Sequence, residues 1–209
     1  MRIVVLHGLF MSGIVMTPLC HRIRQAGYEV LNYSYNTTTP EPDKVFDEID
    51  YYFGGEPGVL IGHSMGGVMA RHYLESRPNN NALAVITLGS PHQGAKIVEY
   101  LQQIGGLSDM VLKESCPFLE PQHAHWPHKA RLYSLAGQLG LGLFPLLAMD
   151  NKVKSDGTVA VEETKIEGMW QHKLVKQSHN SMLLSREVFD WVIDVLAEVS
   201  PLAEKQPAA

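Results

Sequence analysis

The stretch Val59-Leu60-Ile61-Gly62-His63-Ser64-Met65-Gly66-Gly67 decides how this chain is read. Its first three residues form an apolar run of the kind buried inside a sheet, and a helical pattern follows from Met65 to about Ser76, ending before Pro78. Between strand and helix, Gly62 to Gly66 fits G-x-S-x-G. A serine on so sharp a turn has its hydroxyl forced outward, because the flanking glycines let the backbone segments pack closely. The turn also brings Ser64 near a helix N-terminus, where unpaired N–H groups face a developing negative charge. That is the context a nucleophilic serine needs.

Outward from this point, short apolar runs alternate with helical patterns. Ile3-Val4-Val5-Leu6 is a first buried strand. Thr17 is the expected N-cap and Pro18 the first residue of a helix with Leu19, Ile23 and Ala26 on one face and Gly27 as its stop. Tyr28 to Tyr35 reads as the second strand, and Asp43 to Phe53 as a helix closed by Gly54-Gly55. Later strands are expected at Leu83–Leu88, Arg131–Ala136 and Trp170–Val175. A final helix over Arg186–Glu198 repeats Val188, Phe189, Val192, Ile193 and Leu196. This alternation predicts an α/β chain, a mostly parallel sheet with helices on both faces. Residues 1–200 form one domain, with 92–130 as an irregular, lid-like or cap-like excursion and 201–209 as a frayed tail.

Composition narrows the partners. The chain has 209 residues, a net charge of −5 and no basic stripe, which argues against a nucleic acid. Its two cysteines, Cys20 and Cys116, are too few for a disulfide scaffold and suit a reducing, cytoplasmic setting. No apolar run is long enough to span a membrane; the longest, Leu139 to Met149, is broken by Gly140, Gly142 and Pro145. The N-terminal run reads as a strand rather than a leader, since His7, Gly8 and Gly13 follow it and no small-x-small cleavage site does.

A serine nucleophile needs a base and an acid to orient that base, and after a strand-to-helix elbow they come in the order serine, acid, histidine. Asp156, in Ser155-Asp156-Gly157-Thr158-Val159, occupies a turn suited to projecting a carboxylate. Asp150, Glu162 and Glu163 are its rivals. His179 lies just beyond the last strand, whereas His172 falls inside it. His63 flanks the serine and is read as structural. The oxyanion donors are expected to be the N–H of Met65 and, from the loop after the first strand, that of Leu9.

Two further stretches carry weaker expectations. The apolar residues of 139–149 either fill the core or line an acyl-chain wall. His123, His125 and His128 are read as an exposed loop, with no metal site.

Taken together, Val5-Leu6-His7-Gly8-Leu9, the elbow, Thr87-Leu88-Gly89-Ser90-Pro91-His92-Gln93-Gly94, Ser155-Asp156-Gly157-Thr158-Val159 and His179 resemble the bacterial lipase branch of the α/β-hydrolase superfamily. The blocks keep that family's order over residues 3 to 182. The resemblance implies a minimal α/β-hydrolase fold and cofactor-free hydrolysis of small or lipid-like esters. It implies Ser64, Asp156 and His179 as triad, and Leu9 and Met65 as oxyanion donors. A transient contact with a lipid surface fits this reading. The chain departs from the family in being trimmed, with no recognisable secretion signal or calcium-binding aspartates, so digestion of external fat is not expected. A thioesterase or acyltransferase would use the same triad, and a catalytically silent binding protein is the reading from outside enzymes. The base must be neutral; free histidine titrates near 6.5, so activity is expected to rise between roughly pH 6 and 8.

Overall fold

The computed structural model describes residues 1–94, 125–140 and 153–204. Six apolar runs become six strands: β1 (Arg2–Leu6), β2 (Glu29–Tyr33), β3 (Gly58–His63), β4 (Ala82–Leu88), β5 (Arg131–Gly137) and β6 (Gln171–Val175). They form one sheet in the order β2-β1-β3-β4-β5-β6, with every neighbouring pair parallel. Four helices are described, α1 (Thr17–Gln25), α2 (Pro42–Phe53), α3 (Met65–Ser76) and α4 (Arg186–Ala203).

The unbroken apolar strands follow from burial on both faces. Side chains alternate across a strand, so Ile3 and Val5 pack with Val59, Ile61, α1 and α4 on one face. Val4 and Leu6 turn the other way, onto Leu60, α2 and α3. Each face thus has its own core, and the sheet between them is rigid enough to hold loops in place.

The strand order reverses at β1, which lies between β2 and β3. In parallel sheets, connections from such neighbours leave to opposite sides and open a crevice at the carboxyl ends, where ligands bind. Residues 7–13 follow β1 and Ser64 follows β3, so both flank that crevice.

Local differences from the sequence expectations have physical causes. Thr17 is the first residue of α1 rather than its N-cap: a 3-10 turn over Gly13–Met16 runs directly into the helix, and the Thr17 N–H bonds to Ile14 O. Ladder pairing of β2 ends at Tyr33 because the Tyr35 N–H is taken by the His7 ring, at 3.2 Å. The helix expected to end near residue 198 continues through Pro201 to Ala203, where Leu202 and Ala203 pack on the α1 and α4 face. Residues 201–203 are therefore helical, and 205–209 lie outside the described residues. So do 95–124 and 141–152, which hold most of the expected excursion and of the 139–149 stretch, as well as Cys116, His123 and Asp150.

Candidate active site

The turn from β3 into α3 places Ser64 at φ 53° and ψ −124°, a region costing a non-glycine residue on the order of 1–3 kcal/mol. The surroundings hold it there. Ser64 N–H donates to Leu88 O at 2.9 Å, and Gly67 N–H donates to Ser64 O at 3.1 Å. The start of α3 also lies directly on the end of β1. A Cβ on Gly66 would overlap the Leu6 carbonyl oxygen and come within 2.7 Å of His7 O. Only glycine lets the helix come so close.

Asp156 and His179 arrive from the loops after β5 and β6 and meet at 2.7 Å, Asp156 Oδ2 to His179 Nδ1. A carboxylate only accepts, so Nδ1 carries a proton, and in the neutral tautomer the lone pair is then on Nε2. The other carboxylate oxygen takes N–H bonds from Thr158 (2.9 Å) and Val159 (2.8 Å), and His179 N–H donates to Asp156 O at 2.9 Å. Both residues are buried, at 1% and 7% exposure, which keeps water from competing for the pair.

Two contacts bind this pair to the serine elbow. Gly89, directly after the Leu88 that accepts from Ser64, has φ +61°, and a Cβ there would lie 2.9 Å from Asp156 Oδ2 and 3.2 Å from His179 Nδ1. His63, next to the serine, donates Nε2–H to His179 O at 3.0 Å, with the two rings 4.6 Å apart. Burial, with His179 close by, holds the His63 ring well below the ordinary histidine range, so it is neutral and its role is to hold the His179 loop.

Among the described residues, neither the Leu9 N–H nor the Met65 N–H has a protein acceptor. Met65 begins α3, where the first N–H groups have no partner within the helix. The two loops touch: a Cβ on Gly8 would lie 3.0 Å from Ser64 Cβ. The Met65 N–H follows the serine directly in the chain, and the loop that carries Leu9 lies against Ser64 through Gly8.

The described rivals have other partners. Glu162 pairs with Lys165 at 2.6 Å, Glu163 accepts from Ala160 N–H at 2.7 Å, and His172 Nε2 meets Thr164 Oγ1 at 2.9 Å. His128 packs edge-on against Trp126, and no cluster among the described residues has the ligands for a metal. Sequence reasoning missed the buried polar set behind the site, where His92 Nε2 meets Thr87 Oγ1 at 3.1 Å and Arg71 donates to His92 O at 3.2 Å. Burial, and then the Arg71 charge, push His92 down to about 3. Its only visible signal is its place in the Gly-Ser-Pro-His-Gln-Gly block.

The fold is that of the α/β-hydrolases. The family described as "PGAP1-like alpha/beta domain" matches residues 55–117, a span that contains β3, the elbow and β4. The mature form of the lipase BlEst2 of Bacillus licheniformis superposes with a TM-score of 0.68 at 22% identity, covering 92% of this chain and 91% of that one. The RedJ thioesterase of Streptomyces coelicolor superposes at 0.59 with 16% identity, over 95% and 90% of the two chains. In sequence, the lysosomal thioesterase PPT2 homolog of Drosophila melanogaster is 28% identical over 113 residues. That match covers 49% of this chain and spans 39% of the length of that relative. No helix among the described residues is long and apolar enough to cross a membrane.

Proposed function

We propose that this protein is a serine hydrolase of carboxylic esters. Ser64 Oγ attacks the substrate carbonyl while His179 Nε2 takes its proton. Asp156 keeps the imidazole in the Nδ1–H tautomer and stabilises its cationic form. The N–H groups of Leu9 and Met65 receive the oxyanion, and His179 returns the proton to the leaving alcohol. Water, activated by the same histidine, then cleaves the acyl-enzyme.

The observation that carries this reading is the buried 2.7 Å Asp156–His179 bond beside a strained serine elbow. An apolar, lipid-like acyl group is supported by exposed apolar side chains close in sequence to the site. Phe10, Ile14 and Leu184 are 60%, 79% and 72% exposed, on segments adjoining Leu9 and His179. No charged residue occurs between Ile3 and Cys20 or between Gln177 and Ser185.

A thioester substrate is the second reading, favoured by the likeness to two thioesterases. Turnover of p-nitrophenyl esters from acetate to palmitate, beside thioesters of the same acyl groups, tests both. The expected result is Ser64-dependent hydrolysis of esters with the better rate on longer chains. A preference for thioesters by more than about tenfold would move the assignment to thioesterase, and no turnover of either class by folded protein would remove the hydrolase reading.

A further inference from the structure

The loop after β1 owes its shape to the end of β2. Tyr35 grips the fully buried His7 in three ways. Its backbone N–H donates to His7 Nε2 at 3.2 Å, its hydroxyl donates to His7 O at 2.9 Å, and its ring stacks on the imidazole with centroids 4.7 Å apart. Ser34 Oγ also lies 3.4 Å from His7 Nε2. An N–H directed at Nε2 requires a lone pair there, so the His7 proton sits on Nδ1. Nδ1–H then donates to Gly8 O at 3.0 Å, and Met11 N–H donates to the same oxygen at 3.3 Å.

That oxygen belongs to the Gly8–Leu9 peptide, whose N–H is the Leu9 donor. In a trans peptide the C=O and N–H point in opposite directions within one rigid plane. Anchoring Gly8 O on the His7 side therefore turns the Leu9 N–H toward the serine side. Phe10 has φ 58° and is mostly exposed, and its N–H donates to Thr37 Oγ1 at 3.0 Å, so the Gly8 O anchor and this bond hold the chain on the two sides of Leu9.

We propose that Tyr35 is a positioning residue for the oxyanion site. It fixes the tautomer and plane of His7, and His7 in turn aims the Leu9 N–H. The inference rests on the hydrolase reading above. It predicts that loss of the clamp lowers kcat and leaves KM alone, since the donor acts on the transition state more than on the bound ester.

The test compares Tyr35→Phe, His7→Phe and His7→Asn with wild type and Ser64→Ala, using ester turnover, inhibition by a boronic acid, and thermal unfolding. Removing an oxyanion donor costs on the order of 10²–10³ in kcat, so mis-aiming one through His7→Phe should cost about 10- to 100-fold. Tyr35→Phe, which loses only the hydroxyl bond, should cost about 3- to 10-fold. His7→Asn places an amide donor where Nδ1 stands and should recover most of the rate. KM should stay within about twofold, and boronate affinity should weaken in step with kcat/KM.

Ser64-dependent turnover that is unchanged, within twofold, in Tyr35→Phe and His7→Phe would overturn the inference and leave the hydrolase reading intact. So would losses shared equally by KM and thermal stability, without recovery in His7→Asn. Turnover that survives Ser64→Ala would remove the hydrolase reading and this inference with it. Should His7→Phe fail to fold, Tyr35→Phe and His7→Asn still decide the matter.

Discussion

Replacing Gly89 with alanine should disable the site from a position that bears no chemistry. At φ +61° an L-residue costs about 1–2 kcal/mol, and the new methyl would lie 2.9 Å from Asp156 Oδ2, well inside an ordinary contact. The carboxylate cannot retreat, because Thr158 and Val159 hold its other oxygen at 2.9 and 2.8 Å. What gives is the 2.7 Å bond to His179. Losing the orienting acid outright costs on the order of 10⁴ in kcat in the serine protease case, and displacing a group by about 1 Å costs on the order of 10². The expectation for Gly89→Ala is therefore a fall of about 10² to 10⁴ in kcat for ester hydrolysis.

Gly27→Ala supplies the control. Its φ is +90° but nothing lies within 4 Å of the added carbon, so it bears a backbone cost with no clash at the site. At about 2–4 °C per kcal/mol for a chain of this size, both variants should melt a few degrees lower, and only Gly89→Ala should lose activity. Steady-state kinetics with a p-nitrophenyl ester and a thermal melt on each protein measure this. A Gly89→Ala enzyme within threefold of wild type would refute the reasoning, as would an equal loss of activity in Gly27→Ala.

Three other outcomes follow from buried groups and one helix cap. His92 is held at about 3 in the folded protein against 6.5 unfolded, so below pH 6.5 the unfolded chain binds a proton that the folded one refuses. Stability is thus full above pH 6.5 and lost as pH falls toward 3, by about 3 kcal/mol at pH 4.5 from this residue; urea midpoints that stay level from pH 7 to 4.5 would contradict it. Burial pushes the Cys20 thiol up to about 11, so in a Cys116→Ser protein a disulfide reagent at pH 8 should react only after unfolding, and prompt labelling of the native protein would count against it. Ser185 caps α4 by accepting from Val188 N–H, so Ser185→Ala should cost about 0.5–1 kcal/mol with kcat unchanged; an unaltered melt would show that the cap contributes nothing.

The parallel sheet was legible because its strands are buried on both faces and show as runs such as Ile3–Leu6 and Val59–Ile61. The elbow was legible because its glycines and serine are consecutive in the chain. That Asp156 and His179 meet followed from chain order and from a turn composition at 155–159, both local signals. Other features depend on partners far away in sequence. The early end of β2 comes from His7, and the carry-through of α4 past Pro201 comes from packing on α1. The clamp of Tyr35 on His7 joins residues 28 apart with no motif between them. His92 looks polar in sequence and is buried among Thr87, Arg71 and Trp126 only once the fold closes.

The proposed chemistry makes Ser64 a nucleophile activated by His179. Incubation with a fluorophosphonate, followed by intact mass and peptide mapping, tests it most directly, since no knowledge of the natural ester is needed. One adduct per chain is expected, on Ser64, absent in Ser64→Ala and formed at least about 10²-fold more slowly in His179→Ala. Folded protein that takes no adduct, takes it on another residue, or reacts at the same rate without His179 would contradict the account.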